Sequence, residues 1–236
     1  MKYVWASATH QGMVRQNNED SIYPEKSGES EGPAVLMVAD GMGGHVAGEV
    51  ASRLAVNAAA SSNTLEPADR VAAANRAIRE EVARRPDLEG MGTTMTLVEL
   101  TPEGLARFGH VGDSRAYLHR NGELNQVTSD HTVAAEMVSL GQLTQEESED
   151  HPRSHLILRC LGLTRFVNVD EIELVLEPGD RILLCSDGLN SMVPHEAIAE
   201  GLGEGTAEEA AWRLVEMANK AGGHDNISVI LIDVIS

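Results

Sequence analysis

The stretch TTMTLVELTPEGLARFGHVGDSRAYLHRNGELNQV, residues 93–127, decides the fold class. Three strand-like runs succeed one another in it, 93–100, 104–109 and 114–120. Asn121-Gly122 then signals a two-residue hairpin, whose central positions favour these residues, before a further run from Glu123 to Val127. On the N-terminal side, the apolar run Ala34 to Ala39 reads as a buried strand that stops at the glycine-rich stretch 40–48, DGMGGHVAG. An Ala-rich helix is expected from Val46 to Ala60, burying Val46, Val50, Leu54 and Ala58. A second is expected from Pro67 to Arg85, with Val71, Ala74, Ile78 and Val82 as its stripe; Pro67 suits the first turn and Pro86 stops it. On the C-terminal side, residues 131–155 are polar and partly helical, with few core positions, and read as a mobile excursion. Strands return at 169–176 and 181–186. Thr206 is a candidate N-cap for a helix to Ala221, and Ile227 to Ile235 reads as a central strand. Runs of strands with helices in pairs between them lack the steady alternation of a doubly wound sheet. They predict an α+β sandwich with antiparallel sheets covered by helices, in one domain.

The chain has 236 residues and a formal net charge of −19, so no basic field is available to displace counterions from nucleic acid or anionic lipid. With 42% hydrophobic residues but only 2 Trp, 3 Tyr and 2 Phe, the core must be aliphatic. Two cysteines, Cys160 and Cys185, make no disulfide framework; Cys185 lies in an apolar run and reads as a buried hydrophobe. There is neither a signal-peptide pattern nor an apolar run of membrane-spanning length. These features lead to the expectation of a soluble, cytoplasmic monomer.

Acids recur beside apolar strands. Asp40 and Asp187 each follow one and precede a glycine, Asp113 follows Gly112, Asp225 precedes the last strand, and Asp20 ends the cluster RQNNED. One Asp-Gly is ordinarily a turn. Repetition at four or five strand ends points instead to carboxylates that converge in space, where they repel one another until a hard cation neutralises them. Oxygen-only ligands favour Mg²⁺ or Mn²⁺ over zinc. Of nine histidines only His151 and His155 are four apart, and Pro152 between them argues against a shared helical face. His110, His119 and His195 read as structural or surface residues. Phosphate-binding P-loop, dinucleotide-binding and serine-hydrolase motifs are absent from the sequence.

Six segments in order carry a resemblance: Gly12–Asp20 (GMVRQNNED), Val38–His45 (VADGMGGH) with Gly48-Glu49, Gly92–Thr94 (GTT), Gly109–Arg115 (GHVGDSR), Cys185–Leu189 (CSDGL) and Gly222–Ile227 (GGHDNI). Together they resemble the metal-dependent serine/threonine protein phosphatases of the PPM (type 2C) family, in its compact bacterial form. The resemblance implies a four-layer αββα sandwich with two Mn²⁺ or Mg²⁺ ions at one edge. It implies that Asp40 bridges the ions, that the Gly41 carbonyl ligates one, and that Asp187 and Asp225 hold the other. Asp20, with Glu19, belongs to the metal site through bound water. Arg15 grips the substrate phosphate, which a planar guanidinium suits; without the motif it would read as a surface ion pair. Asp113 is implied as ligand of a third, weaker metal, where Ser191 stands in place of a usual acid. Residues 131–160 correspond to the family's variable flap. His45 is the candidate general acid, with a structural or water-bonded role as the alternative.

The implied partners are phosphorylated proteins and a serine/threonine kinase that the enzyme opposes. A non-catalytic binding module and a phosphatase for small phosphate esters are the competing readings. The presence of all the core acids and Arg15 argues against the first, and only the resemblance separates the second.

Overall fold

The computed structural model describes residues 1–43, 47–64, 66–149 and 151–236. Strands β1 (Lys2–His10), β2 (Asp20–Tyr23), β3 (Gly28–Ser30) and β4 (Ala34–Met42) come first, then helices α1 (Ala47–Ala60) and α2 (Pro67–Arg84). Strands β5 (Gly92–Thr93), β6 (Met95–Leu100), β7 (Leu105–Val111), β8 (Arg115–Arg120) and β9 (Glu123–Gln126) follow. Short helices α3 (Val133–Ser139) and α4 (Gln145–Glu149) occupy the polar excursion. The chain ends with β10 (Asp170–Val175), β11 (Arg181–Cys185), α5 (Asp187–Asn190), α6 (His195–Leu202), α7 (Ala207–Lys220) and β12 (Ile227–Ile235).

One sheet has the order β3-β1-β12-β11-β8-β9; the other has β10-β7-β6-β4-β2, with β5 attached to β4. All pairings between these strands are antiparallel. Tyr3, Leu36, Phe108, Ile182 and Ile230 meet between the sheets. Val229 and Leu231 point the other way, onto Ile198 of α6 and Leu214 of α7. Met37 and Leu97 likewise back onto Ala51 of α1 and Ile78 of α2. Both faces of a central strand are thus covered, which is why β12 and β6 are buried along nearly their whole length and carry apolar residues on both faces instead of alternating. The result is the αββα order of layers.

The Asn121-Gly122 hairpin forms with both residues left-handed, at φ 54° and 83°. Thr206 caps α7 in a reciprocal box with Glu209, at 3.2 Å from hydroxyl to backbone N–H. Cys185 is fully buried and both cysteines are free thiols.

Two sequence expectations are corrected. The buried face of α1 is Ala47, Ala51, Ala55 and Ala59 with Gly48, Ser52 and Val56, while Val50 and Leu54 lie at its margin. The helix sits so close to the second sheet that a Cβ on Gly48 would press on Gly41 and the Glu19 carboxyl, so small residues face inward. Val46 lies outside the described residues. Strand β4 also runs past Ala39 through Asp40, because Gly41 and Met42 find new partners in Thr93 and Gly92. That extension holds Asp40 in ladder geometry at the sheet edge.

Candidate metal centre

The sequence-predicted acids come together where the two sheets meet at one end. Asp20 opens β2 and lies opposite Asp40 on β4. From the other sheet, Asp187 follows β11 and Asp225 precedes β12, and these two strands are neighbours. Asp113 follows Gly112 in the turn from β7 to β8, where φ of +113° suits glycine.

The backbone of Asp40 is fixed at three points. Its N–H donates to Thr94 Oγ1 at 2.9 Å, and its carbonyl accepts from Thr94 N–H at 2.9 Å and Thr93 Oγ1 at 2.7 Å. Gly41 donates to the Glu19 carbonyl at 3.1 Å. A Cβ on Gly41 would collide with the carbonyls of Gly48 and Glu19, so glycine is required where β4 passes under α1. Ser186 Oγ donates to Asp20 Oδ2 at 2.7 Å and accepts from Ser228 N–H at 2.9 Å, tying the sheets together at the site. Asn226 organises the loop that carries Arg15. Its Nδ2 donates to the carbonyls of Gln11 and Asn17, at 2.9 and 2.8 Å, and its Oδ1 accepts from Glu19 N–H at 2.7 Å.

Electrostatically this is a strained neighbourhood. Burial, helped by the charges of Asp187 and Asp225, pushes Asp20 up to about 7 against the hydrogen bonds of Ser228 and Ser186. Burial, with the charges of Asp187 and Asp130, pushes Asp113 up to about 8. Asp40 is raised well above the carboxylate range by burial and then by Asp20, Asp187 and Asp113. Asp187 is raised by burial and Asp225. The Asp40 and Asp187 carboxyls share a hydrogen bond, while Asp225 Oδ2 accepts from Arg15 Nη2 at 2.6 Å. Among the described residues, no three His, Cys, Asp or Glu side chains form a closed ligand cage.

The donor set nonetheless fits hard divalent cations. Asp20 Oδ1 and Asp187 Oδ1 are buried and lack a hydrogen-bond partner. Buried acceptors of that kind are costly unless a cation or a proton meets them. All the groups are oxygen donors, the set that suits Mg²⁺ or Mn²⁺.

His45 lies outside the described residues. Ser191 is exposed at the end of α5, and its side chain supplies a hydroxyl where an acid was expected. His110 and His195 are structural: His110 contacts Thr96 Oγ1 at 2.9 Å and the Ser129 carbonyl at 3.0 Å, and His195 contacts the Leu124 carbonyl at 3.1 Å. The excursion at 131–160 is closed at its base by the Thr132–Ile157 bridge. There His131 Nδ1 accepts from Gly112 N–H at 3.1 Å, while Nε2 lies 3.2 Å from Asp170. Sequence reasoning passed over Ser186 and gave Asn226 no role. Their only signal is position, directly beside Asp187 and Asp225.

The sequence profile of the protein phosphatase 2C family matches residues 7–221. The chain is 43% identical over 244 aligned residues to the serine/threonine protein phosphatase PstP of Mycobacterium tuberculosis, covering 98% of this chain and 45% of that protein. It therefore spans less than half the length of that curated relative. The serine/threonine phosphatase stp of Listeria monocytogenes is 36% identical, over 95% of this chain and 93% of the relative. The crystal structure of the M. tuberculosis phosphatase PstP/Ppp superposes with a TM-score of 0.91 at 41% identity, covering 100% of both chains. The PstP catalytic domain in complex with two manganese ions gives 0.87 at 40% identity, again with 100% of both chains covered. Sandwich, acid cluster and these similarities agree, and the chain belongs to the protein phosphatase 2C family.

Proposed function

We propose that the chain is a metal-dependent phosphoprotein phosphatase that hydrolyses phosphoserine and phosphothreonine esters. The observation that carries this reading is the convergence of Asp20, Asp40, Asp113, Asp187 and Asp225, with two orphaned carboxylate oxygens, beside the Arg15 guanidinium. Asp40 interacts with Asp20 of its own sheet and with Asp187 of the other, a position from which its carboxylate would be shared between two cations. Asp187 and Asp225 complete the set from the first sheet, the Gly41 carbonyl adds a neutral oxygen, and Asp113 serves a third, weaker position. Two Mn²⁺ or Mg²⁺ ions held there would lower the pKa of water and neutralise phosphoryl oxygens.

The remaining steps belong to the protein. Ser186 fixes Asp20 Oδ2, so Oδ1 is the atom left to hold the attacking water by a hydrogen bond. Arg15 is half-exposed and leaves Asp225 to place its planar fork on two phosphate oxygens. A cysteinyl-phosphate route does not suit this chain: Cys185 is fully buried, and burial pushes its thiol up to about 12. The physiological counterpart is a serine/threonine kinase. We read the whole chain as one catalytic domain, with 131–160 as its flap. No helix among the described residues is long and apolar enough to cross a membrane.

The purified protein is expected to hydrolyse an aryl phosphate only with added Mn²⁺ or Mg²⁺, and to act on phosphoserine and phosphothreonine peptides in preference to phosphotyrosine. Full turnover in excess chelator would overturn the reading. Arg15→Ala is expected to raise KM by about 10- to 100-fold, the worth of a charge-assisted hydrogen bond pair. It should also lower the Mn²⁺ concentration needed for half-activation, because Asp225 loses its competing cation. An unchanged KM would remove Arg15 from phosphate binding.

A further inference from the structure

The loop that follows the excursion packs against α2 and leaves a groove of about 570 Å³. Its walls include Asn75, Arg76, Arg79 and Glu80 of α2 and Arg165 and Phe166 of the loop. In a chain of net charge −19, three arginines with one glutamate form a local exception. Most arginines elsewhere are engaged: Arg115 with Asp130, Arg120 with Asp180, Arg181 with Asp233, and Arg70 and Arg213 with backbone carbonyls; Arg153, also without a side-chain partner among the described residues, stands alone in the excursion. Arg76 and Arg79 are exposed and make no hydrogen bond or ion pair among the described residues. Arg165 lies 5.2 Å from the centroid of Phe166, whose ring is 80% exposed. Unpaired guanidiniums around an apolar concavity with an aromatic rim match a segment that alternates carboxylates with aliphatic side chains.

The groove is built rather than incidental. Asn75 is buried in α2, and its Oδ1 accepts from Gly162 N–H at 2.8 Å while Nδ2 donates to the Thr164 carbonyl at 3.1 Å. The same loop begins at Leu161, which exchanges backbone hydrogen bonds with Thr93 at 2.8 and 3.2 Å. Thr93 Oγ1 in turn holds the Asp40 carbonyl. A segment seated here is therefore held at a fixed offset from the acid cluster.

We propose that this groove docks an acidic, aliphatic-bearing segment of the protein substrate, away from its phosphorylated residue. The proposal rests on the phosphatase reading, so its test separates binding from turnover. A labelled short peptide alternating Glu, Asp and Leu, without phosphate, would be titrated by fluorescence anisotropy into the full chain in chelator. The wild-type protein is expected to bind it, and Arg76→Glu/Arg79→Glu to weaken binding about tenfold, with a smaller loss for Phe166→Ala. With Mn²⁺, the double variant should keep wild-type turnover of an aryl phosphate while its KM for phosphorylated casein rises about tenfold. Equal peptide binding by wild type and double variant would overturn the proposal, as would equal binding of a peptide with Lys in place of Glu and Asp. A dimer in sedimentation that the double variant dissociates would assign the groove to a second copy instead. Failure of the phosphatase reading shows separately, as no metal-dependent turnover by the wild-type protein.

Discussion

Asp40→Asn should cut kcat/KM for an aryl phosphate by at least about 10³-fold at saturating Mn²⁺, since bridged cations supply several kcal/mol of charge stabilisation in reactions of this kind. The substitution keeps the shape of the side chain and leaves the backbone hydrogen bonds to Thr93 and Thr94 in place. It removes one ionisable group from a cluster in which Asp20, Asp187 and Asp113 each push Asp40 up. The metal-free variant is therefore expected to melt higher than the metal-free wild type, and to gain less on adding Mn²⁺. A loss of activity with a lower melting temperature would mean damaged folding; retained activity would remove Asp40 from the bridging position. Thermal melts in chelator and in Mn²⁺, run beside the kinetics, distinguish these outcomes.

The second large effect is a dependence of stability on pH that the metal abolishes. Asp20 and Asp113 have folded pKa values of about 7 and about 8, above the ordinary 3.8. A raised folded pKa gives stability that is present at low pH and lost as pH rises through the folded value. His110 works in the opposite sense at lower pH. Burial, with the charge of His131, depresses it to about 4, so its contribution is lost as pH falls toward that value. Burial also lowers His131. The clean window is therefore pH 7 to 8.5, where these two histidines are mostly neutral whether folded or unfolded. Across it Asp113 alone should cost the metal-free protein about 1 kcal/mol, a fall in melting temperature of about 2–4 °C for a chain of this size. With saturating Mn²⁺ the slope should vanish, because cation binding displaces the protons. A flat profile in chelator would show that these carboxyls are not held protonated by the fold.

The sandwich was legible where burial on both faces selects a largely apolar run, as in Ile227–Ile235, and where a turn has strict backbone demands, as at Asn121-Gly122. It was least legible at β1. Its KYVWASATH mixes small and polar residues, yet it pairs along its whole length with β12. The face of α1 is not legible from side-chain bulk, because closeness to β4 selects alanine and glycine for the buried positions. At the site, the acids could be listed from their places beside strands. Their grouping depends on strand order, which neighbouring residues do not encode: Asp20 meets Asp40 through the β2–β4 register, and Asp187 meets Asp225 through β11 and β12. Ser186 and Asn226 were beyond reach for the same reason, since each acts on groups far away in the chain.

The sheet carrying Asp20 and Asp40 is not the sheet carrying Asp187 and Asp225. A cation shared among them would act as a rivet through the sandwich, loaded in shear whenever one sheet slides on the other. The aliphatic filling between the sheets then does more than hold the molecule shut: it sets the gauge of the site. Trimming a methyl group from Ile182 or Ile230, remote from any reacting atom, would retune the spacing of the carboxylates before it threatened the fold. Catalytic tolerance and core packing are one mechanical property here, so the interior should be less free to drift than its mostly aliphatic composition suggests.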